Sequence, residues 1–278
     1  MAVQIITDST SDISKELAAQ WGVTIVPLTV HFGEQEYIDG ITLQADEFYA
    51  KLTAATNLPT TSQVRVEAFE EAFKAALDRG DEVLCITLSS ELSGTYQSAT
   101  IAKAGLGRDG IHLVDSRSVT FALALMIARA VELRDAGNSA ADIAAQLQVL
   151  TGKLKLYAMI DTLKYLQKGG RLSAASAVVG TMLGIKPIVT ILDGKVEVCH
   201  KARGSKNALE WLVAKALESK PNLALGLTFG HTDAPEQAQA LMELSGDLTN
   251  RCKTVCCIGS VVGTHAGPGC TGLAFFEE

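Results

Sequence analysis

Short, almost wholly apolar runs alternate with runs of helical periodicity through the first half of the chain, and this alternation limits the folds open to it. Val3–Thr7, Thr24–Val30, Glu82–Leu88 and Ile111–Val114 have the length and β-branched content of strands. Between and after them, Ser14–Gln20, Ala45–Leu52, Val66–Leu77, a run from about Leu92, Ser118–Ala136 and Ala140–Gly152 carry helical spacing. Strands that are apolar on both faces need cover on both faces, and a strand–helix–strand rhythm supplies it. The expected architecture is α/β, with a parallel sheet between layers of helices.

After Gly152 the texture changes. Leu154–Met159 reads as a strand, KYLQKGGRLS as a helix end with a glycine turn, and Ser173–Met182 as a helix. Lys186–Leu192 and Lys195–His200 flank Asp193-Gly194, a hairpin signal. Helix Ser205–Glu218, strand Leu223–Phe229, helix Pro235–Leu244 and strands near Val255–Ile258 and Gly272–Phe276 complete a mixed sheet. A chain of 278 residues makes one large domain or two ordinary ones. The change of texture favours two: an N-terminal α/β/α domain over residues 1–153, and a C-terminal α/β domain with a mixed sheet over residues 154–278. Clefts between domains are common ligand sites.

Bulk properties exclude several functions. A net charge of -7 leaves no electrostatic footprint for nucleic acid or for anionic lipid surfaces. The N-terminal MAVQIITDST reads as a strand entering a polar turn, without the regions of a signal peptide, so the expected location is the cytoplasm. Six cysteines in such a chain read as reduced thiols, mostly buried as small apolar residues. Cys252-x3-Cys256-Cys257 has no second ligand pair at useful spacing, so no metal is expected.

Four polar turns stand out: TDSTSD (Thr7–Asp12), PTTSQ (Pro59–Gln63), SSELSGTYQSA (Ser89–Ala99) and VVGTHAGPG (Val261–Gly269). In a parallel sheet, loops at the carboxyl ends of strands converge on one crevice. Hydroxyls and free amides at helix starts bind anions there. Ordinary helix capping is the plain structural account of Thr61, Ser62 and Ser93. His265, between glycines, reads as a constrained loop residue able to hydrogen-bond a carboxylate. A hydrolase triad of Ser93, His265 and Asp8 or Asp115 is disfavoured, because no G-x-S-x-G elbow occurs. No dinucleotide fingerprint follows the first strand and no P-loop occurs, so ATP for any phosphoryl transfer must sit on another protein.

The order of these motifs resembles the DegV family over essentially the whole chain. The matching segments are TDSTSD at 7–12, YIDG at 37–40, TSQ at 61–63, LSSELSGTYQSA at 88–99, VDSRSV at 114–119, LKYLQKGGRLS at 163–173, LGIKPI at 183–188 and GTHAGPG at 263–269. The resemblance implies a two-domain DegV-like fold, related at its N-terminal domain to dihydroxyacetone kinase. It also implies the fatty-acid-binding subunit of bacterial fatty acid kinase. Such a subunit is not itself an enzyme. It holds one long-chain fatty acid in a tunnel between and within the domains and presents the carboxyl group to a separate kinase catalytic subunit, which makes the acyl-phosphate. No cofactor and only transient membrane contact are expected.

Carried over by position, Thr61, Ser62, Ser93 and His265 look like the carboxylate site, with Gly94 and Thr95 beside it. Arg171 and Arg203 match basic positions on the kinase-facing side, expected to be solvent-accessible and clear of the lipid. One departure is Val64, where family members often carry proline after TSQ. A long acyl chain gains about 0.8 kcal/mol per buried methylene, so the tunnel supplies affinity and the polar end fixes register. Hydroxyls, amides and one imidazole meet the need of that end without a full positive charge. The competing readings are a lipid-sensing regulator without a kinase partner, and a stand-alone small-molecule kinase or hydrolase.

Overall fold

The structure is a computed structural model that describes residues 2–172 and 184–278. The chain opens with strand β1 (Val3–Asp8), a short 3-10 turn (Ser9–Ser11), helix α1 (Lys15–Trp21) and strand β2 (Val23–Val26). Strands β3 (Thr29–Phe32) and β4 (Gln35–Ile38) follow, then α2 (Ala45–Ala54), β5 (Thr60–Ser62), α3 (Val66–Asp78), β6 (Glu82–Thr87), α4 (Thr95–Leu106) and β7 (Ile111–Asp115). Helices α5 (Thr120–Asp135) and α6 (Ala140–Thr151) lead to β8 (Leu154–Met159), α7 (Lys164–Lys168), β9 (Ile185–Leu192), β10 (Lys195–Arg203) and α8 (Ser205–Glu218). The chain ends with β11 (Leu227–Thr232), α9 (Pro235–Ser245), β12 (Cys252–Cys257), α10 (Ser260–Ala266) and β13 (Cys270–Phe276). The helix expected at Ser173–Met182 lies outside the described residues.

The expected α/β class holds. Strands β2-β1-β6-β7 form a wholly parallel sheet. Its two central strands are buried almost throughout, as the unbroken apolar runs require. A second sheet, in the order β10-β9-β8-β13-β11-β12, is mixed, because only β11 and β12 run parallel. Asp193-Gly194 closes the β9–β10 hairpin with φ of 49° and 82°, the left-handed pair a tight hairpin turn demands.

Helix α5 joins these layers. Twelve of its sixteen residues are buried, on every side of the helix. Thr120–Ala128 (TFALALMIA) is apolar all round and buried throughout, and such a stretch must be covered all round, while Arg129, Glu132, Arg134 and Asp135 of the second half reach the surface. It packs on β1 of the parallel sheet and on β8, β11, β12 and β13 of the mixed sheet. Thr228 Oγ1 on β11 donates to Phe121 O at 2.6 Å, fixing the start of the helix against that strand.

Four segments differ from the sequence reading. Thr24–Val30 is not one strand: β2 stops at Val26 and β3 starts at Thr29 in a separate three-stranded sheet, β4-β3-β5. Pro27 lacks the N–H needed to continue the ladder. PTTSQ is not only a turn, because Thr60–Ser62 pair with β3 as β5. VVGTHAGPG is not a loop, because Ser260–Ala266 form α10. The strand expected at Leu223–Phe229 begins later, at Leu227, because residues 222–226 form a turn in which Leu225 N donates to Asn222 O at 3.0 Å. Of the six cysteines, Cys85, Cys256 and Cys270 are buried, but Cys199 and Cys257 are exposed and Cys252 is half-buried.

Replacing a fully buried residue of α5 tests whether this helix is the common core. Leu125→Ala removes a side chain with 0% exposure. The cost should be about 2–5 kcal/mol in urea denaturation. A loss under about 1 kcal/mol would mean that the two sheets do not rely on the helix between them.

Candidate functional site

Between the inner face of the mixed sheet and the start of α5 lies a cavity of about 110 Å³, against the roughly 10–15 Å³ that one water needs by the same measure. Leu156, Ala158 and Ile160 line it from β8 and the residue after it, and Val189 and Ile191 from β9. Val119, Thr120 and Phe121 close it at the beginning of α5. The wall is overwhelmingly apolar, and its polar side chains include Thr61, Gln63, Ser93, Arg171 and His265.

Among the expected site residues, Thr61 Oγ1 and His265 Nε2 lie 2.9 Å apart although the residues are 204 apart in sequence. Thr61 stands opposite Val30 in the β3–β5 pairing and so shares the inward face with it. His265 sits in the last turn of α10. Its ring packs on the backbone of Gly169, just after α7: a Cβ there would lie 2.2 Å from Nδ1. Any residue larger than glycine at 169 would displace the imidazole.

Nδ1 of His265 is buried and has no hydrogen-bond partner. Burial, and then the positive charge of Arg171, push the His265 pKa down to about 4. The ring is therefore neutral at physiological pH. An orphan N–H is costlier to bury than an orphan lone pair, so the proton belongs on Nε2, donating to Thr61 Oγ1. That assignment leaves the Thr61 hydroxyl proton free to point elsewhere.

Ser93 lines the same cavity. Its Oγ accepts from Thr95 N at 3.3 Å and lies 2.9 Å from Thr95 Oγ1. Thr95 is fully buried behind it and does not line the cavity. Gly94 also lies behind the wall. Ser62 borders the cavity, but its hydroxyl is exposed and sits 2.9 Å from His31 Nε2. Alternation along β5 turns Ser62 to the face opposite Thr61, so the two hydroxyls do not converge.

The arginines behave differently from each other. Arg203 is exposed at the end of β10 and is not part of the wall. Arg171 is half-buried and lines the cavity, contrary to its expected place clear of it. Its Nε donates to Leu92 O at 3.2 Å and its Nη1 to Gly169 O at 2.7 Å. Two backbone carbonyls thus turn the guanidinium inward, and burial lowers its pKa. Among the described residues it is the one Lys or Arg in the wall, so the polar end carries a positive charge that the sequence reading did without.

Three buried carboxylates were also missed as such. Asp8 accepts from Leu88 N at 2.8 Å and from Thr10 N at 3.0 Å, and burial raises its pKa to about 6. Asp12 accepts from Gly259 N at 2.9 Å and Asp39 from Ser260 N at 3.1 Å. These two hold the start of α10, the helix that ends in His265. Burial raises the pKa of both.

A model of the DegV family matches residues 2–278. The chain belongs to the DegV family. A DegV domain-containing protein of Caldanaerobacter subterraneus subsp. tengcongensis is 34% identical over 99% of both chains. A DegV family protein from Thermus thermophilus, described by its fatty acid binding, superposes with a TM-score of 0.90 at 32% identity, covering 100% of both chains. A stearic-acid-binding protein from Eubacterium ventriosum gives a TM-score of 0.89 at 27% identity, over 100% of this chain and 98% of that one. Among the described residues of this DegV-family chain, no helix is long and apolar enough to cross a membrane.

The state of His265 is testable by pH. Its folded pKa of about 4 lies below the ordinary 6.5, so the unfolded chain binds this proton more tightly. The histidine therefore costs stability as pH falls from about 6.5 toward 4 and is neutral in effect above that window. The melting temperature of the wild type relative to His265→Gln should rise between pH 4.5 and 6.5 and level off above it. A difference that stays flat, or grows on acidification, would show a charged ring.

Proposed function

We propose that this chain binds one long-chain fatty acid in the cavity, with the carboxyl group at the Thr61–His265 end, and presents it to a separate kinase for acyl-phosphate formation. One observation carries the reading: an overwhelmingly apolar wall that includes a small polar set of hydroxyls, a neutral imidazole and one guanidinium. That is the chemistry of an amphiphile with a single anionic head. Relatives with the same fold are described as binding fatty acids, stearic acid among them.

In this reading, the methylenes take their affinity from the apolar wall, and the head needs a donor for each oxygen. The free proton of the Thr61 hydroxyl and the Ser93 hydroxyl donate to the carboxylate. Arg171 supplies the charge that makes a buried anion tolerable. His265 acts through Thr61, holding that hydroxyl in the donating orientation. The ligand lies between an N-terminal unit, residues 1–153, and a C-terminal unit, residues 154–278. Arg203, exposed and outside the wall, belongs to the surface that meets the kinase.

Phosphoryl transfer to a carboxylate needs the attacking oxygen held in line. The donors that anchor the head would hold it, while ATP stays on the partner. Extraction of denatured protein followed by mass spectrometry should find about one long-chain fatty acid per chain. Arg203→Glu should keep that lipid yet slow acyl-phosphate formation by a fatty acid kinase catalytic subunit, as rim charges govern encounter. Protein free of fatty acid after exposure to it would refute the binding. Loss of lipid in Arg203→Glu would place this arginine in the site rather than on the partner's side.

A further inference from the structure

Gln63 occupies a place in the site that neither capping nor the carboxylate cluster explains. It follows β5 directly, two residues after Thr61, and borders the cavity. Its Nε2 donates to Ser98 Oγ, one turn into α4, at 2.8 Å. Its amide packs against Gly94, oxygen nearest: a Cβ there would sit 2.0 Å from Oε1 and 2.7 Å from Cδ. Gly94 has φ −71°, a conformation open to any residue, so the glycine is needed for space and not for backbone freedom. Next to this contact, Val64 N donates to Thr95 Oγ1 at 3.4 Å, and Thr95 Oγ1 is 2.9 Å from Ser93 Oγ.

The strand that carries Thr61 is thereby clipped to the first turn of the helix that Ser93 precedes. Among the described residues no hydrogen bond joins Thr61 to Ser93, so their separation is set by what ties β5 to α4. Beside the longer Val64 N–Thr95 Oγ1 contact, Gln63 spans this gap from β5 to α4, with Ser98 as its anchor and bare Gly94 as its seat. We propose that Gln63 is a positioning residue that fixes the distance between the Thr61 and Ser93 hydroxyls and so tunes the polar end for a carboxylate. The proposal deepens the fatty-acid reading and rests on it.

A head-group competition separates positioning from general integrity. Protein stripped of lipid is offered equal amounts of palmitic acid and 1-hexadecanol, and the bound lipids are extracted and quantified. The two share an alkyl chain and differ in needing two oxygens satisfied or one. Wild type should prefer the acid. Gln63→Ala should lower the acid-to-alcohol ratio by about fivefold, as the loss of one well-placed hydrogen bond would. Gly94→Ala, which displaces the amide without straining the backbone, and Ser98→Ala, which removes its anchor, should do the same. The double variant of Gln63→Ala with Ser98→Ala should be no worse than either alone, because both cut one link. A ratio unchanged in all three single variants would overturn the proposal. So would an equal loss of acid and alcohol, the mark of a merely structural role. Wild type that takes up neither lipid would instead overturn the fatty-acid reading, and this proposal with it.

Discussion

Everything in this molecule is arranged around the need to bury helix α5. Its first nine residues, Thr120–Ala128, offer no polar face and all are buried, so water must be excluded from that part on all sides. One sheet cannot do this. The parallel sheet covers it through β1 and the mixed sheet through β8, β11, β12 and β13, which binds the first half of the chain to the second. At the beginning of the helix, Val119, Thr120 and Phe121 face a space between these layers, and that space is the cavity. The apolar surface that holds the sheets together thus continues into a wall that a hydrocarbon chain would complete.

The polar end depends on a second constraint, the short helix α10. Asp12 and Asp39 take the amides at its start. His265, in its last turn, reaches Thr61 on the three-stranded sheet. The helix is held at both ends by groups from the first 61 residues, although it lies near the end of the chain. The two carboxylates take amide and hydroxyl donors rather than cations among the described residues, Asp12 Oδ2 is left without a partner, and burial raises the pKa of both. With Gly169 against Nδ1, the imidazole has little freedom to turn away from Thr61. Thr61 is set in turn by the sheet pairing and by the clip through Gln63.

Periodicity made most of the fold legible. Apolar strand runs such as Glu82–Leu88 and the alanine-rich helices are written in residue spacing, and the Asp193-Gly194 turn in residue type. Thr24–Val30 misled because hydrophobicity continues across Pro27 while the backbone ladder cannot. The site residues were identifiable by kind but not by setting. Thr60–Ser62 is too short and too polar to show strand alternation, so the opposite facing of Thr61 and Ser62 was invisible. Helix α10 was hidden by Gly263, and its terminus by Gly267 and Gly269. The inward turn of Arg171 is made by the carbonyls of Leu92 and Gly169, and backbone acceptors leave no mark in a sequence. Buried acids are equally silent: Asp8 and Asp12 in TDSTSD look like ordinary turn residues until the fold closes over them.

The proposed site requires a carboxyl group against the Thr61 and Ser93 hydroxyls, with His265 behind Thr61. Carbon-13 NMR of palmitate labelled at the carboxyl carbon, bound to the protein, addresses it directly. The expected result is one resonance, distinct from that of free palmitate. It should stay in its ionised form to lower pH than in water, because hydroxyl donors and Arg171 favour the anion, and it should move in Thr61→Val. A resonance that titrates as it does in solvent and ignores Thr61→Val would put the carboxyl elsewhere and contradict this account of the site.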